Sequence, residues 1–94
     1  MPERITVTHN ATASRFEAMV DGHLSIAEYE LAGNRMTMTH TVVPSELRGR
    51  GIAEFLVRAA LVEARASGRR VVPECSYVAK FIERHQEFAD LVAC

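Results

Sequence analysis

In the first half of the chain apolar and polar residues alternate, and in the second half apolar residues return every three to four positions. Period two places side chains on one face of a strand and period 3.6 on one face of a helix, so the pattern predicts sheet first and helix afterwards. Ile5 and Val7, within Arg4 to Thr8, predict a short strand. Ser14 to Val20 and Leu24 to Leu31 flank Asp21-Gly22, a strong two-residue hairpin signal. A second tight turn is expected at Gly33-Asn34, followed by a strand from Arg35 to Val43. On that strand Met36, Met38, His40 and Val42 are expected to share one face, opposite Thr37, Thr39 and Thr41. These segments read as an antiparallel meander of about four strands.

Pro44 cannot donate to a sheet ladder and marks the end of the meander. From Gly51 to Ser67 the residues Ile52, Phe55, Leu56, Ala59, Ala60, Leu61 and Val62 form a broad apolar stripe, and Gly68 stands where helices commonly stop. Such a helix is about 25 Å long at 1.5 Å per residue. Val71-Val72, within Arg69 to Pro73, reads as a buried strand that follows a crossover helix. A second helix is expected over Ser76 to Arg84 with Ser76 as its cap, and a short last helix over Glu87 to Ala93. The expected class is α/β: a meander, a helix, a fifth strand and C-terminal helices. Repeats, low-complexity runs and linker-like segments are absent from the sequence, so residues 1–94 are expected to form a single domain.

Composition narrows the function. With 48% apolar and 24% charged residues the chain has ordinary globular character. A net charge of -1 and few aromatic residues argue against general affinity for nucleic acid or an anionic membrane. No apolar run approaches a bilayer span, and the two cysteines, Cys75 and Cys94, form no disulfide framework. The start of the chain lacks the basic-then-apolar pattern of a signal peptide, and a reducing cytoplasmic setting is expected. His9, His23, Cys94 and the acids show no metal-ligand spacing, no metal cofactor is expected, and a nucleophile elbow is missing. A monomer or weak dimer is expected.

Chemistry concentrates between strand and helix, in Val42-Val43-Pro44-Ser45-Glu46-Leu47-Arg48-Gly49-Arg50-Gly51-Ile52-Ala53. The first turn of a helix carries four backbone N–H groups without internal partners and the positive end of the macrodipole, so it attracts an anion. Gly49 and Gly51 allow close approach of backbone, and Arg48 and Arg50 offer planar, permanently charged donors suited to a pyrophosphate. A P-loop would need Lys and then Ser or Thr after the last glycine, where Ile52 and Ala53 stand. A dinucleotide fingerprint would need a third glycine at Glu54 and a preceding parallel strand.

Arg48, Gly51 and Ala53 match the Arg-x-x-Gly-x-Ala form of the pyrophosphate signature of the GNAT acyltransferase superfamily. His40-Thr41, Val43-Pro44 and Val72-Pro73-Glu74-Cys75-Ser76-Tyr77, followed by Ala79 and His85, resemble its smallest members, which have a Pro-x-Cys-x-Tyr motif. The resemblance covers about residues 4–92. It implies a mixed sheet splayed between the fourth and fifth strands, with acetyl-CoA as co-substrate. The pantetheine arm would lie in the splay and bond the backbone of Thr41, Val42 and Val43. The pyrophosphate would lie on Arg48, Gly49, Arg50, Gly51, Ile52 and Ala53, with Cys75 and Tyr77 lining the site.

For the transfer itself, the family helix pattern of Asn, then Ala, then a tyrosine acid is met at Ser76 and Ala79, whereas Glu83 occupies the tyrosine position. Tyr77 is a candidate substitute for that acid, which its spacing alone does not establish. Cys75 precedes a helix, where a thiolate is favoured, and is either an acyl-accepting nucleophile or a wall of the cofactor site. His40 is a candidate acid or base near neutral pH, as opposed to a structural histidine. His85 reads first as a helix C-cap. The expected activity is N-acetylation of an amine on a small molecule or a protein. The alternative is an acyl-CoA-binding module with little or no turnover.

Overall fold

The computed structural model describes residues 5–93. Five strands form one sheet in the order β1-β2-β3-β4-β5. They are β1 (Thr8–Asn10), β2 (Arg15–Val20), β3 (His23–Ala32), β4 (Arg35–Val42) and β5 (Arg70–Val72). The first four run antiparallel to their neighbours, and β5 joins β4 in parallel after the crossover helix α1 (Ile52–Ala66). Helix α2 (Ser76–Arg84) and a 3₁₀ segment, Gln86–Leu91, complete the chain. This is the α/β order that the alternation predicts.

Alternate residues of the sheet turn one face inward. Phe16, Ala18, Val20, Ala27, Tyr29, Met36, Met38 and Val71 are buried beneath α1, which lies across β2 to β5. Helix α2 and the final 3₁₀ segment pack on α1, with Arg58 of α1 5.4 Å above the Phe81 ring and 5.7 Å from that of Phe88. The other sheet face is open at Met19, Leu24 and Val42, which keep 64%, 38% and 51% of their surface. Ser25 is the buried polar exception: fully enclosed on the helix side, its Oγ has no hydrogen-bond partner among the described residues.

Several details depart from the sequence pattern. The first strand lies at Thr8–Asn10, after the Ile5 and Val7 alternation, and Arg4 lies outside the described residues. Ile5 and Val7 instead pack half-buried against the core. On α1 the buried stripe is Ile52, Leu56, Val57, Ala60, Leu61 and Ala64, whereas Phe55 and Val62 point to solvent. The residue before α2 that occupies the cap position is Cys75, not Ser76, and no side-chain bond closes that cap.

The most consequential departure is on β4. Tyr29 opposes Met38 and Glu28 opposes His40, so Thr39 is an extra, unopposed residue, a β-bulge. Its hydroxyl donates to the Glu28 carbonyl at 3.3 Å, which ties the bulge to the neighbouring strand. Side chains directly opposite in a ladder share a face. Met36 and Met38 are therefore inward, and beyond the bulge Thr41, opposite buried Ala27, is inward as well. His40 and Val42 turn to the open face, away from Met36 and Met38, contrary to the unbroken alternation expected from the sequence.

Candidate functional site

The segment between β4 and α1 is held by one buried anchor. After Pro44 a 3₁₀ turn, Ser45–Leu47, closes with the Leu47 amide donating to the Pro44 carbonyl at 2.9 Å, and the Leu47 side chain is only 1% exposed. The chain must then reverse into α1. It does so with Gly49 at φ +86° and Gly51 at φ +75°, a left-handed conformation that a β-carbon disfavours. Gly51 is the N-cap of α1 and offers no side chain to its first amides. The first helical bond links the Phe55 amide to the Gly51 carbonyl, so the amides of Ile52, Ala53 and Glu54 have no partner within the helix.

A cleft of about 320 Å³ opens over these amides, lined by Val43, Leu47, Arg48, Gly49, Gly51, Ile52, Ala53 and Tyr77. Most of the predicted anion-binding residues are thus brought together, and Arg48 is exposed at the cleft. Arg50 is placed differently, because its guanidinium donates to the Asp21 carboxylate at 2.7 Å, across on the turn between β2 and β3.

Pairing of β4 with β5 ends at Thr37 and Val72. One further bond, from the Cys75 amide to the Met38 carbonyl at 2.9 Å, holds the start of α2 against β4 just before the bulge. Beyond that point β5 has ended, and β4 runs on to Val42 without a partner strand on that side among the described residues. Cys75 is half-buried, with its Sγ 3.8 Å from Thr41 Oγ1. The predicted residues Thr41 and Cys75 therefore meet where β4 runs on past the end of β5, while His40 stands on the opposite face of the sheet.

Tyr77 lies on the boundary between this cleft and a second one of about 250 Å³, lined also by Glu54, Lys80, Phe81, Arg84 and His85. Partial burial, then the nearby Glu54 carboxylate, push the Tyr77 phenol above its usual value against a smaller pull from Arg84, so it keeps its proton. His85 is the C-cap of α2, as its position in the sequence predicts. Its Nδ1 donates to the Phe81 carbonyl at 2.8 Å, its ring stacks on Phe81 at 4.0 Å, and Nε2 lies 3.6 Å from Glu54 Oε1. Glu54, Lys80 and Arg84 escape a reading of the sequence because their convergence depends on α2 packing beside the first turn of α1. Glu83, in place of the family tyrosine, is exposed and lines neither cleft. Among the described residues no group of acids, histidines and cysteines is arranged to hold a metal ion, and no helix is long and apolar enough to cross a membrane.

Comparison with known proteins bears on this arrangement. The family model described as GCN5-related N-acetyl-transferase matches residues 15–91. Protein NATD1 of Bos taurus is 33% identical over 84 residues, which span 86% of this chain and 74% of that protein. Protein NATD1 of Homo sapiens is 31% identical over the same length, covering 86% and 74% of the two chains. A GCN5-like protein from Staphylococcus aureus, solved by NMR, superposes with a TM-score of 0.72 at 22% identity, over 98% of this chain and 89% of that one. At that identity it supports the fold alone. With a glycine-capped helix beside a cleft, a parallel β4–β5 ladder that ends at Thr37 and Val72, and a family match running from β2 to the end of the last 3₁₀ segment, the chain belongs to the GCN5-related N-acetyltransferase family.

Proposed function

We propose that this protein transfers an acetyl group from acetyl-CoA to an amine. The observation that carries the reading is the N-terminus of α1, where the amides of Ile52 to Glu54, without partners within the helix, meet a cleft bordered by Arg48 and two left-handed glycines. A diphosphate fits that donor set, since the amides and helix dipole favour an anion and a guanidinium adds charge-assisted bonds. The end of β4 that runs on past β5 leads from this cleft past Thr41 to Cys75, a path for an extended pantetheine arm whose amides would bond that edge.

Within that reading, Cys75 is a wall of the thioester site and not a nucleophile. An adjacent base is one of the ways a thiol is activated, and the side-chain partner of Cys75 Sγ is the Thr41 hydroxyl, which is no base. His40 lies on the other face of the sheet, and His85 is engaged with Phe81 and Glu54. The amine attacks the thioester directly, His40 acts as base, and Tyr77, which retains its proton, is a donor at the cleft. The acceptor is an amine carried on a protein or a small molecule, and the open sheet face leaves room for a large one.

Thermal melts with acetyl-CoA, CoA and ATP, followed by thiol release with a panel of primary amines, test the proposal. Acetyl-CoA and CoA are expected to raise the melting temperature, and thiol release is expected to depend on the amine. Absence of any shift with acetyl-CoA defeats the cofactor site. A shift without amine-dependent release favours instead an acyl-CoA-binding module, a reading supported by Glu83 in the place of the family tyrosine. Cys75→Ala is expected to keep turnover within a few-fold, and its abolition would restore the nucleophile.

A further inference from the structure

The bulge at Thr39 does more than turn His40 outward. It sets His40 directly opposite Glu28 in the ladder, with Nδ1 3.8 Å from Glu28 Oε1. Without the extra residue, Glu28 would oppose Thr39 and His40 would point into the helix layer. The Thr39 hydroxyl bond to the Glu28 carbonyl fixes this register. With Nδ1 toward the carboxylate, Nε2 is left to face an acceptor on the open side, where the imidazole keeps 72% of its surface and the carboxylate 43%.

We infer that Glu28 is a positioning residue for His40. The inference rests on the acetyl-transfer reading above and deepens it. Cys75 and Thr41 mark the inward side of the same short stretch of β4, and its amide bond to Met38 places Cys75 next to the bulge. A nucleophile arriving from the open side therefore meets the end of β4 beyond β5 with His40 beside it. An ammonium acceptor gives one proton to His40 Nε2 and becomes the free amine. Its lone pair forms the C–N bond as the C–S bond breaks. The second nitrogen proton is released, and the departing sulfur, which carries the electron pair, is protonated to the CoA thiol. Glu28 holds the imidazole by Nδ1 and balances the charge it gains. The gap of 3.8 Å suits a resting site whose contacts shorten on acceptor binding.

A double-mutant cycle on the full chain tests this, with acetyl-CoA and a lysine-containing peptide as acceptor. His40→Ala is expected to lower kcat about 10²-fold, as for loss of a general base, and added imidazole is expected to restore part of the rate. Glu28→Gln is expected to lower kcat about fivefold, the scale of an exposed charge pair, with KM for acetyl-CoA unchanged. The effect of Glu28→Gln should vanish in the His40→Ala background. Glu30→Gln, on the same strand, should match wild type. Equal losses from Glu28→Gln with and without His40, or no loss, overturn the inference while leaving the cofactor site intact. Acetyl-CoA binding without turnover overturns both this inference and the enzymatic reading, whereas absence of acetyl-CoA binding identifies a failure of the cofactor site itself.

Discussion

Gly51 is the position at which fold and site depend most directly on one atom. It holds φ +75° as the N-cap of α1, and a β-carbon built there meets no heavy atom within 4 Å. Gly51→Ala therefore introduces backbone strain without a clash. The left-handed conformation costs an ordinary residue about 1–2 kcal/mol. For a chain of this size each kcal/mol moves Tm by about 4–8 °C, so the variant is expected to melt roughly 4–16 °C lower. Because Gly51 also lines the cleft, the added methyl crowds the approach of a diphosphate to the amides of Ile52 and Ala53. Affinity for acetyl-CoA should fall about tenfold, the equivalent of one weakened charge-assisted hydrogen bond. Gly51→Asn separates the two effects, because asparagine tolerates the left-handed region while still adding bulk. Melts recorded across an acetyl-CoA titration read both quantities, since a ligand that binds only the folded state raises stability by RT ln(1 + [L]/Kd). The reasoning is refuted if Gly51→Ala melts like wild type, or if Gly51→Asn recovers affinity in step with Tm.

The two arginines of the loop should behave unequally. Arg48→Ala is expected to weaken acetyl-CoA binding about tenfold, whereas Arg50→Ala, which releases Asp21, should act mainly on stability. Equal losses of affinity by calorimetry would refute that division. Ser25→Ala removes a buried hydroxyl that has no partner among the described residues and should stabilise the fold by about 1 kcal/mol in urea unfolding. A destabilised variant would refute it. The Asp90 carboxyl is held below its ordinary value of 3.8 by hydrogen bonds from Arg65 and by that residue's charge. A carboxyl depressed on folding contributes stability above its unfolded value that is lost as pH falls through the folded one. Wild type should thus lose stability below about pH 4, with Asp90→Asn flattening part of that decline. Identical acid melting profiles would show that this pair contributes nothing.

Much of the candidate site was legible because its features are local. The run from Arg48 to Ala53 lies on consecutive residues between a strand and a helix, and a helix start exposes amides whatever it packs against. The structure accordingly places Arg48, Gly49, Gly51, Ile52 and Ala53 around one cleft, with Val43 and Tyr77. Arg50 could not be separated from Arg48 in this way. Its partner, Asp21, is distant in sequence and becomes its neighbour only when the β2–β3 hairpin folds beside the loop. Glu54, Lys80, Arg84 and His85 converge for the same reason, through the packing of two helices.

The sequence by itself determined the order of elements, the two tight turns and the glycine-capped start of α1, since each follows from side-chain period or backbone conformation within a few residues. Tertiary structure alone decided which way His40 points. The run Met36 to Val42 alternates without a break, but a bulge is a relation between two strands, fixed when Glu28 pairs with His40 and Thr39 is left over. A pattern along one strand carries no record of the register its neighbour will impose, and a slip of one residue reverses every face beyond it.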